Sequence, residues 1–151
     1  MISSSQRAVR VPRKRIVELA AFVARAEGVR LADLDVAVVG ADEMAALHRR
    51  FLRRRGATDV LSFDLSEPGA AARSVQVVVC GDVAAAEAAA RRLRPQHELM
   101  RYVAHGLLHV MGYDDRTAAE AATMHARQEE LLARFLARRR GARFRKARSD
   151  G

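Results

Sequence analysis

His105 and His109 stand four residues apart in the string His-Gly-Leu-Leu-His-Val-Met-Gly-Tyr-Asp-Asp, residues 105–115. On a helix that spacing stacks the two imidazoles on one face, where they can grip a single metal ion. Gly112 is the residue type that ends a helix in a left-handed turn. Beyond it the chain can double back and bring Asp115 or Asp114 to the same ion. Two helical ligands, a stop and a carboxylate past the stop are the pattern of an open, catalytic metal site. The other histidines are His48, His97 and His125. His97 precedes the pair by two turns and reads as a surface residue; His125, in the last helix, is a substitute for the third ligand.

Zinc proteases of the His-Glu-x-x-His class place a glutamate general base directly after the first histidine. That position is Gly106 here. Glycine can neither take nor give a proton, so peptide hydrolysis by that route is disfavoured. A metal at this site would polarise a scissile group or activate water, with another group handling protons.

The surrounding pattern says what must hold these residues. Gln6 to Val11 alternates as a short strand would. Pro12 suits a first helical turn, after which Ile16, Leu19, Ala20, Phe22 and Val23 recur at helical spacing until Gly28. Leu34 to Val39 reads as a strand, and Ala41 to Arg54 as a helix with Asp42 as N-cap and Met44, Leu47 and Phe51 on its apolar face. Thr58 to Leu65 and Ser74 to Cys80 are strand-like, separated by Glu67-Pro68-Gly69. Asp82 caps an alanine-rich helix to about Arg92, and Pro95 opens the helix that carries the histidine pair. That helix is apolar on several sides (Leu99, Val103, Leu107, Leu108, Met111), which predicts a central place in the domain. A last helix starts near Thr117 and runs to roughly Arg138. These elements predict a mixed α/β (α+β) fold: one small domain over residues 1–137, with a sheet of about four strands and about five helices. A basic tail, 138–151, is too poor in apolar residues to pack and is expected to be mobile.

The chain of 151 residues carries 27 Lys and Arg against 18 Asp and Glu, a formal net charge of +9, and its pI is about 11.2. Only Lys14 and Lys146 are lysines; the rest is arginine, whose forked guanidinium suits phosphate. The excess is clustered at Arg13-Lys14-Arg15, Arg49 to Arg55 and Arg138 to Arg148, which points to a polyanion, most simply nucleic acid. The single cysteine, Cys80, excludes an internal disulfide, fits a reducing compartment and reads as a buried structural thiol. No apolar leader and no run of membrane-spanning length is present, so a soluble cytoplasmic protein without a membrane partner is expected.

On the 105–115 string the chain closely resembles the YbeY family of bacterial endoribonucleases and ribosomal RNA maturation factors. Two upstream blocks agree in order and spacing: Thr58-Asp-Val-Leu-Ser-Phe63, and Gly81-Asp82 after a hydrophobic strand. Met124 with Gln128 to Leu132 is similar to the family's closing helix. The likeness covers roughly Leu34 to Leu136. It implies a small α/β fold with the metal helix at its centre and a zinc ion (Zn2+) held by three histidines. It also implies cleavage of single-stranded RNA, with a part in maturing the 3′ end of small-subunit ribosomal RNA and in ribosome quality control.

Carried over by residue, His105 and His109 match the first two metal ligands, and the third falls on Asp115, where the family pattern has histidine. Aspartate is a legitimate zinc ligand, but it is shorter and adds a negative charge, which widens the choice of metal to iron or manganese. An arginine that the family places shortly before the Thr58 block falls on Leu52, with Arg53, Arg54 and Arg55 following at once. One of these, Arg53 first, is expected to clamp an RNA phosphate. His48 stands where the family has asparagine. The leading expectation is thus a metal-dependent endoribonuclease acting on ribosomal RNA or the small ribosomal subunit, with no small-molecule cofactor. The alternative is a non-catalytic RNA- or ribosome-binding factor with a structural or decayed metal site; a metallopeptidase ranks third because of Gly106 and the basic charge.

Overall fold

Apolar runs become strands and amphipathic stretches become helices in the order β1 (Ile2–Ser4), α1 (Arg13–Ala26), β2 (Leu31–Val39), α2 (Ala41–Phe51), β3 (Val60–Asp64), β4 (Arg73–Cys80), α3 (Gly81–Arg91), α4 (Pro95–Val110) and α5 (Ala118–Ser149). The structure, a computed structural model, describes residues 1–51 and 60–149, with side chains as far as residue 138. The four strands form one sheet in the order β1-β2-β4-β3. β1, β2 and β4 are parallel, and β3 closes one edge antiparallel to β4, with Ser62 opposite Val77. The fold is therefore mixed α/β, as the pattern predicts.

Successive strand residues point to opposite faces, so the sheet has two apolar sides to cover. Val75, Val77 and Val79 of β4, with Val36 and Val38 of β2, enter the larger core beneath α1, α4 and α5. Val78 and Cys80, with Val39 and Leu61, enter a smaller core against Met44 of α2. Cys80 is a buried free thiol, as its apolar setting implies. α4 is the central helix: it packs against α1, α3, α5, β3 and β4, with Leu99, Val103, Leu107 and Leu108 fully buried. At Gly106 it lies so close to the sheet that an added Cβ would stand 2.8 Å from Val77 Cγ1 and 3.1 Å from Val60 Cγ1. Only glycine permits that approach without moving helix or strand.

Several expectations are corrected. The first strand is Ile2–Ser4, not Gln6 to Val11. Gln6 instead folds its amide onto the backbone of Val9, accepting from its N–H at 2.9 Å and donating to its carbonyl at 2.9 Å. A side chain that bonds its own neighbours in this way competes with a sheet ladder. Asp42 is not the cap of α2 but lies inside its first turn. Asp82, expected to cap α3, reaches across instead and accepts from the Ala41 N–H at 2.7 Å, while α3 has no side-chain cap. Thr117 does cap α5, its hydroxyl accepting from the Glu120 N–H at 3.1 Å. That helix continues to Ser149 and does not stop near Arg138. Alanine and arginine are strong helix formers and the segment is rich in both, which favours a continuing helical backbone.

Candidate metal centre

α4 begins with Pro95 in its first turn, where the missing N–H costs nothing. It ends as the sequence predicts, with Gly112 at φ +107°. The Gly112 N–H donates to the His109 carbonyl at 3.2 Å and the Tyr113 N–H to the Leu108 carbonyl at 3.0 Å, which reverses the chain against its own last turn. The reversal brings Asp115 back to the histidine face, with Asp115 Oδ2 at 3.4 Å from His109 Nε2. The rings of His105 and His109 lie 4.8 Å apart, edge to face.

One ligand atom from each of His105, His109 and Asp115 falls within 4.8 Å of the others, so the three could hold a metal ion. Donors around a tetrahedral zinc at about 2.0–2.2 Å stand roughly 3.4 Å from one another. The His109–Asp115 pair already has that spacing. Two imidazoles and a carboxylate are a donor set that suits zinc and its transition-metal neighbours.

The other acidic and imidazole candidates do not join this group. Asp114 turns away, accepting from the Asp115 N–H at 2.8 Å and pairing with Arg116 Nε at 3.2 Å. His125 is exposed on α5. Arg53, Arg54 and Arg55 lie outside the described residues. Of the same basic cluster, Arg50 stacks over the Phe51 ring at 5.3 Å, at the end of α2. Beside the Gly112 turn runs an open groove of ≈ 550 Å³ whose lining includes Arg30, Arg73, Met111 and Gly112.

Two supports for the site were not read from the sequence. His105 Nδ1 lies 2.8 Å from Gln128 Oε1, and Gln128 is only 5% exposed. On the other side, the Tyr113 hydroxyl donates to Glu27 Oε2 at 3.0 Å, and Arg127 Nε donates to Glu27 Oε1 at 2.6 Å. Burial, reinforced by the Glu27 carboxylate, raises the Tyr113 phenol above its ordinary value, so it remains a donor. The turn that carries Asp115 is thereby tied to α1 and α5. A sequence signal for Gln128 does exist: Met124, Leu131, Leu132 and Phe135 form the buried stripe of α5, and Gln128 is the polar residue within it.

Burial pushes the His105 imidazole below its ordinary range, with His109 adding to the effect against the opposing pull of Gln128 and Asp115. A neutral imidazole is the form that binds metal.

Fold and cluster together define a class: a small α/β domain whose central helix and following turn present a His/His/Asp group able to hold one ion. The family model for Endoribonuclease YbeY matches residues 2–136, and the chain belongs to that family. Similar relatives, each named Endoribonuclease YbeY, come from an Anaeromyxobacter species (41% identical over 88% of this chain and 69% of the relative), Thermobifida fusca (39% identical, 80% and 83%) and Renibacterium salmoninarum (34% identical, 89% and 92%). The solution structure of TM1509 from Thermotoga maritima shares the fold, with a TM-score of 0.57 and 23% identity over 94% of this chain and 93% of that one. No helix among the described residues is long and apolar enough to cross a membrane.

Proposed function

We propose that this protein is a metal-dependent endoribonuclease that cleaves single-stranded RNA, and that His105, His109 and Asp115 hold its one divalent ion. The observation that carries the reading is the meeting of these three donors at the end of α4, in a chain of the Endoribonuclease YbeY family. Zinc is the first choice of ion, and the carboxylate in place of a third imidazole also admits iron or manganese. When bound, such an ion supplies Lewis acidity toward a phosphodiester oxygen. His105 and His109 serve as neutral ligands, and Asp115 lowers the positive charge of the site by one unit relative to three histidines.

The substrate follows from the charge. A formal net charge of +9, almost all of it arginine, favours a phosphate backbone over a peptide. Within the domain 1–137, one of Arg53, Arg54 and Arg55, Arg53 first, clamps a backbone phosphate; alanine at each in turn should weaken RNA cleavage in at least one case. The basic segment 138–151 adds sequence-independent affinity, so truncation after Ala137 should flatten the salt dependence of RNA binding. The natural substrate is ribosomal RNA in the small subunit, at its 3′ end and in ribosome quality control, and the protein acts in the cytoplasm.

The test is cleavage of a single-stranded RNA by purified protein, lost on chelation and restored by Zn2+ or Mn2+. Cleavage that survives complete removal of metal overturns the metal dependence. Binding without cleavage under any metal would favour the second reading, a non-catalytic ribosome-binding factor. Two departures from the family pattern motivate that reading: Asp115 in place of histidine, and Leu52 in place of arginine.

A further inference from the structure

The amide of Gln128 has two neighbours that together leave it one orientation. Its Nε2 donates to Glu129 Oε1 at 3.3 Å, and its Oε1 lies 2.8 Å from His105 Nδ1. Glu129 is an ionised carboxylate: burial opposes its charge, but Arg101 outweighs that and holds the carboxyl below the usual range. Arg101 grips it with two bonds, Nε at 2.6 Å and Nη2 at 3.3 Å. Arg101 is anchored in turn by Glu98 of its own helix, a carboxylate only 1% exposed.

Donor and acceptor bookkeeping then runs one way along this chain. A carboxylate accepts only, so Gln128 must turn its NH2 toward Glu129 and its carbonyl toward His105. A carbonyl also accepts only, so the His105 proton must sit on Nδ1 and the free lone pair on Nε2. A neutral imidazole in water carries its proton more often on Nε2, the nitrogen that a metal would need. The network therefore reverses an intrinsic preference.

We infer that Gln128 is a positioning residue that fixes His105 as the Nδ1–H tautomer, and that the Glu98–Arg101–Glu129 chain fixes Gln128. The inference deepens the proposed metal site and, for its effect on affinity, rests on that reading. Outer partners of this kind set the ring orientation and basicity of a histidine ligand, and losing one typically costs ~10–100-fold in metal affinity.

The tautomer can be read without any metal, from long-range proton–nitrogen correlation spectra of the chelator-treated full chain at roughly pH 8, where imidazoles are neutral. The His105 ring is identified by loss of its signals in His105→Gln. Wild type should show a protonated Nδ1 and a bare Nε2. Gln128→Met, similar in shape but without the acceptor, should shift the ring toward Nε2–H and weaken Zn2+ binding by ~10–100-fold. Gln128→Glu, which keeps an acceptor, should retain the wild-type tautomer. Glu129→Gln, at a partly exposed position and so gentle on the fold, offers Gln128 a partner that both donates and accepts. It should yield a mixture of tautomers with the ligand set intact, and it decides the matter if Gln128→Met does not fold.

Wild-type protein in the Nε2–H form, or an unchanged tautomer in Gln128→Met and in Glu129→Gln, overturns the inference. Wild type that shows Nδ1–H yet binds no Zn2+ would overturn the metal reading and leave the tautomer lock standing.

Discussion

His105 projects from the middle of a buried helix, with a buried amide behind its ring. Asp115 projects from a turn, its side chain 45% exposed, and its place depends on that turn: the Gly112 reversal, the Tyr113–Glu27 bond and its own N–H on Asp114. One side of the cluster is thus preorganised by packing and the other by a short tether. A ligand on a rigid helix has little room to adapt to a different chemistry, whereas a ligand on a turn can shift its backbone to suit a shorter side chain. The aspartate expected in place of a third histidine falls on the adaptable side. In the proposed site the helix would fix two corners and let the third follow.

On that contrast the largest effect belongs to the rigid side. His105→Ala should reduce Zn2+ affinity by more than the ~10–100-fold typical of an outer partner, with loss of RNA cleavage to match. Asp115→Ala should weaken binding less, and Asp115→His should recover or exceed wild-type affinity. Equal losses at the two positions would erase the distinction, and unchanged metal content in Asp115→Ala would remove Asp115 from the site. Next in size is Tyr113→Phe, which deletes one hydrogen bond to a charged carboxylate that Arg127 still pairs. We expect a loss of about 1.5 kcal/mol in denaturant unfolding, together with a weakening of Zn2+ binding that vanishes in an Asp115→Ala background. A weakening that persists there would show that the tether does not act through Asp115.

The smallest effect concerns acid stability. Arg101 holds the folded Glu129 carboxyl below the ordinary 4.5, despite burial. A depressed carboxyl contributes fully above the unfolded value and loses its contribution as pH falls through the folded one. Wild type should therefore lose stability more steeply than Glu129→Gln on acidification from roughly pH 5 to pH 3. Parallel curves in urea unfolding would mean that the Arg101–Glu129 pair adds nothing.

What could be read from residues alone was local. The histidine spacing, the glycine stop, the return of a carboxylate and the central apolar helix are all periodicity or turn chemistry within 20 residues. The supports were hidden by distance along the chain: Gln128 lies 23 residues from His105, and Glu27 lies 86 from Tyr113. Asp82 caps a helix that begins 41 residues earlier, and no local rule distinguishes that from capping its own. The first strand lies outside the alternating stretch Gln6 to Val11, because that alternation is answered by the Gln6 side chain and not by a neighbouring strand. The Gly81-Asp82 block is architectural: the glycine makes room for Gln6 and the aspartate caps α2.

Gly106 carries a further consequence. The position next to the first histidine is occupied by the contact of helix against sheet, with Val77 and Val60 in the way of even one more carbon. A glutamate there would have to displace the Val77 and Val60 side chains or shift α4 itself, so a general base at this position comes at a cost in packing. For the proposed reaction, a group that moves protons would therefore have to come from a position other than 106.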